Sequence, residues 1–458
     1  KQDLSYIPTT TQPEKPNYET WLTPKKTYNK GITVRSQLIF HNGLKNTVVT
    51  KTYFVDGLKP KLPEIYLTID KGALFDNDTG IYVPGINQIE GKKHTGNFFK
   101  RGKEWERLAH LEYLSKEQKV KLNQNIGVRV HGMASPAAPM KTIKFYARKK
   151  YGKGKFKFSP FKQQTEIKSY KRLLLRTPYS TWNKRIIADQ LAQNIVKDLD
   201  IECAASRPVS LYINGEYWGI HDMAEKIDQH FFKSHYGVHK DSLSYSTGSK
   251  KTDIGGKPEF SEVFYFAKNN DLTVKENYDS ISKVIDINNF IDYTIIETYL
   301  DNWDWPGNNN ERWRAPRVCD KWKWLIIDMD ATFMKKDHSM LKKLMDTTDM
   351  KTEHRLNSTL IFRKLVENET FKSKLIKRYE ELLSSTLCQE RLLGIFEEYE
   401  ELYENDIQRQ IDRWTLPQSL EFYENKNEGI KEFIHERTKY MILDVKKYLG
   451  ANINPICN

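Results

Sequence analysis

Hydrophobic and polar positions alternate along much of the first half of the chain and recur at helical spacing along the second half. Alternation places successive side chains on opposite faces of a strand, whereas apolar residues at i, i+4 and i+8 form one stripe of a helix. The pattern predicts mainly strands up to about residue 180, a helix carrying Ile186 to Leu199, and helices beyond residue 258. The later helices are expected at Phe290 to Leu300, Leu360 to Asn368, Thr370 to Leu383, Leu392 to Leu402 and Ile430 to Leu449.

Two Asn-Gly pairs indicate tight hairpins, because both residues readily adopt the positive φ that the favoured two-residue turns need. Asn42-Gly43 separates two alternating runs, and Asn214-Gly215 lies within the apolar run Val209 to Lys226. A polar stretch from Thr247 to Pro258 is predicted to be a loop or linker. We expect an α+β fold because strands precede helices.

The chain has 458 residues, enough for two to three domains. Residues 1–60 are predicted to form a small β-sandwich-like accessory module. Residues 61–228 are predicted to form a β-rich lobe, and residues 229–458 a helical lobe. No apolar run approaches the roughly 20 residues that cross a bilayer. The start carries no apolar signal segment, which fits either a cytosolic protein or a mature form of an exported one.

A formal charge of +13 suggests nucleic acid as a possible class of binding partner. From Lys141 to Arg172 there are twelve Lys or Arg and one acidic residue, Glu166, interleaved with aromatic residues. A solvated strand pair with buried aromatics is favoured over nucleic-acid binding, because the sequence has no recognition-helix, zinc-finger or RNA-motif signature. The cysteines, Cys203, Cys319, Cys388 and Cys457, form no metal-binding pair, and free buried thiols are expected, with a disulfide left open.

Candidate chemistry is concentrated in Asn302 to Asn310 and in Trp322 to Asp330. Asp304 is followed five residues later by Asn309, with Asn308 as the near alternative. This is the offset between the carboxylate and the metal-binding amide of a kinase catalytic loop. The next apolar run ends in Asp328 and Asp330, and strand parity would place both on one face. The competing interpretation is an Asx-rich capping turn.

Four segments together resemble the CotH family of spore-coat-protein-H kinase-like proteins. They are Tyr217 to Asp228, Asn302 to Asn309, Ile327 to Phe333, and the loop and lysine of Arg129 to Lys141. The resemblance implies an atypical protein-kinase-like fold of two lobes. It also implies binding of ATP with Mg²⁺ or Mn²⁺ and phosphorylation of protein, in some members coat proteins.

The residue roles follow from that resemblance. Asp304 would be the catalytic carboxylate, and Asn309 or Asn308 with Asp328 or Asp330 would bind the metal. Lys141 is preferred as the phosphate-contacting lysine and Lys144 is the runner-up. The other cofactor-contacting candidates are Arg129, Gly132, Ser135, Met223 and Glu225.

Two of these positions have alternatives. Met223 and Glu225 would form the hinge beside the adenine, but Glu225 could instead pair with Lys141 or be an ordinary acid at a helix start. Arg185 and Asp189, four residues apart, are expected to form an internal ion pair, and the alternative is that they are the partner of the phosphate-contacting lysine.

The end of the 1–60 module resembles the immunoglobulin-like module found beside chitobiase-type glycoside hydrolases. It favours an exported or envelope setting, a cell-surface or coat protein as substrate, and contact with carbohydrate. The alternative function is a noncatalytic surface or carbohydrate-binding protein on a kinase-like scaffold. Glycoside hydrolysis would need two carboxylates about 5–10 Å apart, and no pair in the sequence indicates one.

Overall fold

A computed structural model of the chain describes residues 31–46, 48–54, 62–133, 135–162, 164–177, 185–247, 251–254, 259–348 and 352–457. The strands are β1 (Ile32–Ser36), β2 (Val49–Tyr53), β3 (Glu64–Ile69), β4 (Arg107–Leu114), β5 (Val120–Val130), β6 (Ile143–Tyr146), β7 (Phe156–Lys157), β8 (Ser169–Tyr170), β9 (Arg172–Arg176), β10 (Glu202–Cys203), β11 (Ser206–Ile213), β12 (Glu216–Glu225), β13 (Ser244–Thr247), β14 (Lys251–Ile254), β15 (Glu311–Ala315) and β16 (Cys319–Ile326). The helices are α1 (Lys71–Phe75), α2 (Ala188–Ile195), α3 (Gln229–Tyr236), α4 (Glu259–Asn269), α5 (Lys275–Val284), α6 (Ile287–Tyr299), α7 (Met340–Met345), α8 (Glu353–Val366), α9 (Glu369–Leu383), α10 (Gln389–Trp414) and α11 (Leu420–Asp444). The predicted α+β class is confirmed.

The chain divides into two compact units that are interleaved in sequence. The first contains Lys1–Lys184, Ala205–Lys226 and Glu401–Tyr423, and the second contains Arg185–Ala204, Ile227–Glu400 and Glu424–Asn458. This division differs from the contiguous boundaries predicted at residues 60 and 228.

A closed barrel organises the first unit, with strands in the order β11-β12-β9-β6-β5-β4-β3. Neighbouring strands are antiparallel except β11 and β3, which pair in parallel and close the barrel. Apolar side chains such as Ile126, Phe145 and Leu211 are fully buried. The predicted hairpin is confirmed at the β11–β12 turn, where Asn214 and Gly215 have φ of 51° and 82°.

The end of α10 packs against β11 and β12 within this unit. Ser210 Oγ donates to Asp406 Oδ2 (2.7 Å), and Gln410 Oε1 accepts from the backbone N of Ile220 (2.9 Å). Trp414 Nε1 donates to the carbonyl of Trp218 (3.0 Å). The barrel therefore depends on residues that lie more than 180 positions later in the sequence.

The second unit is built around a mixed sheet in the order β10-β16-β15-β13-β14, accompanied by helices. Helix α6 leads into the loop that carries Asp304, and β16 leads into the turn that carries Asp328. The sequence patterns predicted α6 and most of the later helices, but they did not indicate β15. The loop predicted from Thr247 to Pro258 is wrong for Lys251–Ile254, which pair with β13 as a strand.

Near the start of the described chain, β1 and β2 form an antiparallel hairpin with a turn at Asn42 and Gly43, as predicted. The rest of the proposed accessory module lies largely in residues 1–30 and 55–61, outside the described residues. The hairpin alone is a two-stranded sheet.

The cysteines depart from the expectation of free thiols. Cys388 and Cys457, 69 positions apart, form a disulfide with their Cα atoms 5.4 Å apart. Cys203 and Cys319 take no part in a disulfide and are partly buried. Sequence spacing could not indicate the disulfide, because helix packing brings the two residues together.

Five aromatic residues of the basic stretch are buried, as the favoured interpretation requires. They are Phe145, Tyr146, Phe156, Phe161 and Tyr170. Buried rings cannot stack on exposed bases. Within the described residues, no helix is long and apolar enough to cross a membrane.

Candidate active site

The second unit brings Asp304, Asn309 and Asp328 together. Asn309 Nδ2 donates to the backbone carbonyl of Asp328 (3.4 Å). Partial desolvation raises the pKa of Asp304, and the negative charge of Asp328 raises it further. The two carboxylates are therefore close enough to repel each other, although they come from different loops.

Asp304 is not the capping residue of its own turn. Asn302 Oδ1 accepts from the backbone N of Asp304 (3.3 Å), and the backbone N of Asn308 donates to the carbonyl of Asp304 (2.9 Å). The amide of Asn302 and main-chain atoms thus form the turn, while Asp304 exposes its carboxylate. This arrangement favours the site interpretation over the capping turn.

Left-handed backbone occurs at both metal-ligand candidates. Asn309 has φ of 55°, and Asp328 has φ of 53° with ψ of 59°. Asn and Asp tolerate this region better than other residues with a side chain. Strained backbone of this kind is concentrated at functional sites in proteins.

Asp330 does not follow the strand parity that was expected. Strand β16 ends at Ile326, and Asp330 lies in a buried 3₁₀ turn, Met329–Ala331. A strand period therefore does not relate it to Asp328. Asp328 and Asp330 both stay candidates for the metal.

Buried groups that the sequence did not nominate hold the Asp304 loop. Asp301 is fully buried and accepts from Trp303 Nε1 (3.0 Å), from the backbone N of Lys335 (2.8 Å) and from His338 Nδ1 (2.6 Å). Arg437 is also fully buried and donates to four carbonyls, those of Thr298, Tyr299, Lys336 and His338.

Lys343 binds the loop from α7. Its Nζ donates to the carbonyls of Trp303 (2.9 Å) and Trp305 (2.5 Å), on either side of Asp304. Burial and the charge of Arg355 lower its pKa to about 8. Of the groups that hold the Asp304 loop, Asp301 alone could have been noticed in the sequence, because it lies beside the motif. Lys343 and Arg437 lie 39 or more residues beyond Asp304.

Asp189 of α2 contacts the turn that carries Asp328. It accepts from the backbone N of Met329 (2.7 Å) and from Gln193 Nε2 (2.8 Å). Arg185 donates to Met334 Sδ (2.8 Å). The expected ion pair between Arg185 and Asp189 is therefore wrong, and Asp189 instead fixes the backbone next to Asp328.

In the first unit, Lys141 precedes β6 and is buried. Its Nζ donates to the carbonyls of Pro136 (2.6 Å) and Ala138 (2.7 Å) and lies over the rings of Tyr82 and Phe98. Burial alone lowers its pKa to about 7. The Lys141 ammonium thus donates to the loop's own carbonyls rather than pairing with Glu225, and its role as the phosphate contact stays a prediction.

Lys144 has different surroundings. It pairs in register with Arg129 across β5 and β6. Burial, together with the positive charges of Lys226, Lys144, Arg101 and Arg129, lowers the pKa of His131 to about 2. Four cations therefore lie around one imidazole, and this cluster is better suited to a phosphate than Lys141 is.

The predicted loop lies beside this cluster. Gly132 has φ of 123°, and a Cβ there would come within 2.0 Å of Ser135 Oγ. Arg101 donates to the carbonyl of Gly132, and Arg129 donates to that of Gly102 (2.7 Å). Gly132 and Ser135 thus lie against each other, and their role in binding a cofactor stays a prediction.

Met223 and Glu225 are both buried and lie at the end of strand β12. Glu225 Oε2 accepts from the backbone N of Ala205 (3.3 Å). Helix α3 begins after Asp228, whose side chain caps it by accepting from the backbone N of His230. Glu225 is therefore not the acid of a helix start.

The CotH kinase protein family matches residues 128–441 of the chain, more than half of its length. The chain belongs to the CotH kinase family. The matched region contains all of the candidate site residues, and membership makes this a kinase-like protein.

Among solved structures, the Helicobacter pylori proinflammatory kinase CtkA is similar to this CotH-family chain, with 11% identity and a TM-score of 0.32. That match covers 65% of this chain and 94% of CtkA. No curated protein matches the chain.

Proposed function

We propose that this CotH-family chain is an ATP- and divalent-metal-dependent phosphotransferase that phosphorylates hydroxyl groups of proteins. The observation that carries the proposal is the meeting of Asp304, Asn309 and Asp328 in the second unit. Phosphoryl transfer depends mainly on positioning and on charge stabilisation, for which carboxylates and an amide suffice.

The donor set fits Mg²⁺ or Mn²⁺. In the part of the chain that the structure describes, no three His, Cys, Asp or Glu side chains form a metal-binding group. The proposed ligands are Asp328 and the amide of Asn309, whose Nδ2 contacts the Asp328 carbonyl, with Asn308 and Asp330 as the other candidates. Oxygen ligands of this kind are those that magnesium prefers, and a bound cation would neutralise charge on the phosphates.

In the proposed reaction, the hydroxyl oxygen of the acceptor forms a bond to the γ-phosphorus of ATP. The bond from that phosphorus to the bridging oxygen breaks, and ADP leaves. Asp304 accepts the hydroxyl proton, since this residue is exposed in the loop that also carries Asn309. Lys343 and Asp301 keep the loop in place.

The cationic cluster of the first unit supports ATP as the cofactor. Lys144, Arg129, Arg101 and Lys226 supply charge that a triphosphate would neutralise. We further propose an exported or envelope setting with a cell-surface or coat protein as substrate. The disulfide between Cys388 and Cys457 supports that setting, because such bonds persist in oxidising compartments.

The test is thermal unfolding with ATP and Mg²⁺, together with phosphate transfer to a protein acceptor. Wild type is expected to be stabilised, by about 2.7 kcal/mol when the ligand is at 100 times its Kd. Asp328→Asn should lose the metal-dependent part of this stabilisation. Asp304→Asn should bind nucleotide but lower kcat by about 10²–10⁴-fold.

The matched control is Asp337→Asn, because Asp337 is an exposed acid in the segment after Asp328. It should leave stabilisation and turnover unchanged. Stabilisation that survives in Asp328→Asn, or the same turnover in Asp304→Asn as in wild type, would contradict the assigned site. Absence of any nucleotide effect would favour the noncatalytic alternative.

A further inference from the structure

The Asp304 loop forms one wall of a cavity of about 530 Å³ that lies wholly within the second unit. Its other walls come from the segment before α7, from α7 itself and from the start of α8. The volume is in the range of pockets that hold small ligands or several side chains of a peptide. Because the cavity includes the Asp304 loop, whatever occupies it lies beside the proposed reaction centre.

Positive side chains dominate the rim. Lys342 and Arg355 are exposed, and Lys343 is partly buried between them and the Asp304 loop. In the part of the chain that the structure describes, no ion pair occupies any of these three. Arg355 lies close enough to Lys343 to lower the pKa of that amine, which is repulsion that a bound anion would relieve.

The lining also contains carboxylates, those of Asp304 and Asp346. Hydrogen bonds from Thr348 hold the pKa of Asp346 low, and Lys342 lowers it further, so Asp346 is an anion beside Lys342. Helix α8, with 14 residues, begins at the cavity, and Thr352 caps it. Its N-terminus adds positive potential to that of Arg355.

Trp303 provides an apolar wall that cannot move freely. Its side chain is 43% exposed, while its Nε1 donates to the buried Asp301. The ring lies 5.4 Å from the ring of His338, and Lys335 lies over it at 5.5 Å. A fixed indole beside cations suits an extended peptide whose acidic side chains reach the cations.

We propose that this cavity binds the acidic residues that flank the accepting hydroxyl of a peptide substrate, with Arg355 and Lys342 as the residues that select them. The inference rests on the proposed function, since Asp304 marks the place where the hydroxyl reacts. Carboxylate and phosphorylated side chains share the required chemistry. A substrate phosphorylated earlier would then be an especially good one, because its dianion matches a guanidinium in geometry.

The experiment measures equilibrium binding of fluorescein-labelled peptides to the full chain by anisotropy, without nucleotide. Three peptides carry one central Ser flanked by Glu, by phosphoserine or by Lys. We expect the Glu and phosphoserine peptides to bind, the Lys peptide to bind at least tenfold more weakly, and the affinity of the first two to fall with added salt. Tighter binding of phosphoserine than of Glu identifies a primed substrate.

Charge reversal tests the residues. Arg355→Glu and Lys342→Glu should each weaken binding of the Glu peptide about tenfold and strengthen that of the Lys peptide. The control is Lys374→Glu, an exposed lysine on α9 outside the cavity with the same change in charge. It should leave the preference unchanged. Since Arg355 and Lys342 are exposed, the melting temperatures of all three variants should match wild type.

Three outcomes overturn the inference: equal binding of acidic and basic peptides, no effect of Arg355→Glu, or competitive displacement of the peptide by ATP with Mg²⁺. The last would make the cavity a nucleotide site. Nucleotide stabilisation is measured separately. If nucleotide stabilises the chain but peptide binding does not depend on charge, only this inference fails. Charge-dependent binding without any nucleotide effect supports the cavity and removes the proposed phosphotransfer.

Discussion

At the scale of single residues, the candidate site combines unfavourable backbone with buried polar support. Phe333, a bulky residue, has φ of 57°, and its backbone N donates to the carbonyl of Leu300 (2.7 Å). Asp301, with φ of 52°, is held by three donors. Conformations that cost of order 1–3 kcal/mol each persist only when neighbouring contacts enforce them. The loop geometry is therefore fixed before any substrate binds.

Substitutions of Lys141 and Lys144 distinguish a buried lysine from one that binds phosphate. Lys144→Met should raise the Kd for ATP, whereas Lys141→Met should leave it unchanged, because the Lys141 ammonium already donates to two carbonyls. Isothermal titration with ATP and Mg²⁺ measures both. A loss of ATP affinity in Lys141→Met, with Lys144→Met unaffected, would restore the original choice.

Lys141 also gives a pH signature. Its folded-state pKa of about 7 lies below the ordinary value of 10.5, so between these pH values the unfolded chain binds the extra proton. The free energy of unfolding of wild type should therefore rise with pH from about 7 to 10, and the rise should be smaller in Lys141→Met. Urea denaturation across this range measures the difference.

The sequence could predict Asp304, Asn309 and Asp328 as one group because a short loop and one strand pair connect them. It placed Lys141 ahead of Lys144 without knowing their surroundings, since strand parity says which face a residue occupies but not which carbonyls surround it. Arg355 was also missed, because it lies 51 positions beyond Asp304 and only the packing of α8 brings it to the cavity.

At the scale of elements, the contact between α10 and the β11–β12 hairpin is unusually close. Gly219 has φ of 98°, and a Cβ there would lie 2.5 Å from Gln410 Oε1 and 2.8 Å from Trp414 Nε1. The fully buried Arg413 lies over the rings of Trp218 and Trp414, at 4.9 and 4.2 Å. Asn214-Gly215 predicted this hairpin, but nothing in the local pattern indicated the helix that covers it.

Gly219→Ala should therefore destabilise the chain by about 2–3 kcal/mol, because both the backbone and the helix contact are strained. The matched control is Gly394→Ala, because Gly394 lies in α10, the helix that packs against Gly219 of β12. A Cβ at Gly394 would meet nothing within 4 Å, so alanine there should stabilise by up to about 1 kcal/mol. Chemical denaturation measures both, and equal effects of the two substitutions would contradict the packing argument.

At the scale of the whole molecule, the disulfide closes a long loop. Cys388 lies just before α10, and Cys457 lies beyond α11, so the bond encloses both helices. The predicted class of fold was confirmed, whereas the division into units was not foreseeable from composition. Patterns along a chain report local elements, and contacts between positions 200 and 410 leave no local signal.

Replacing the disulfide should lower the free energy of unfolding by about 4 kcal/mol, the chain-entropy value for a loop of this length. The variant is Cys388→Ser with Cys457→Ser, compared with Cys203→Ser, which removes a thiol outside the disulfide. Denaturation with and without a reducing agent measures the effect. Reduction that changes the stability of wild type and of the double variant equally would show that this bond contributes nothing.

The interleaving of the two units has a consequence for synthesis. Asp406, Gln410 and Trp414 complete the contacts of a barrel whose first strands lie before residue 130. The faces of β11 and β12 that these side chains contact therefore stay uncovered until synthesis has passed Trp414, long after β12 itself has been made.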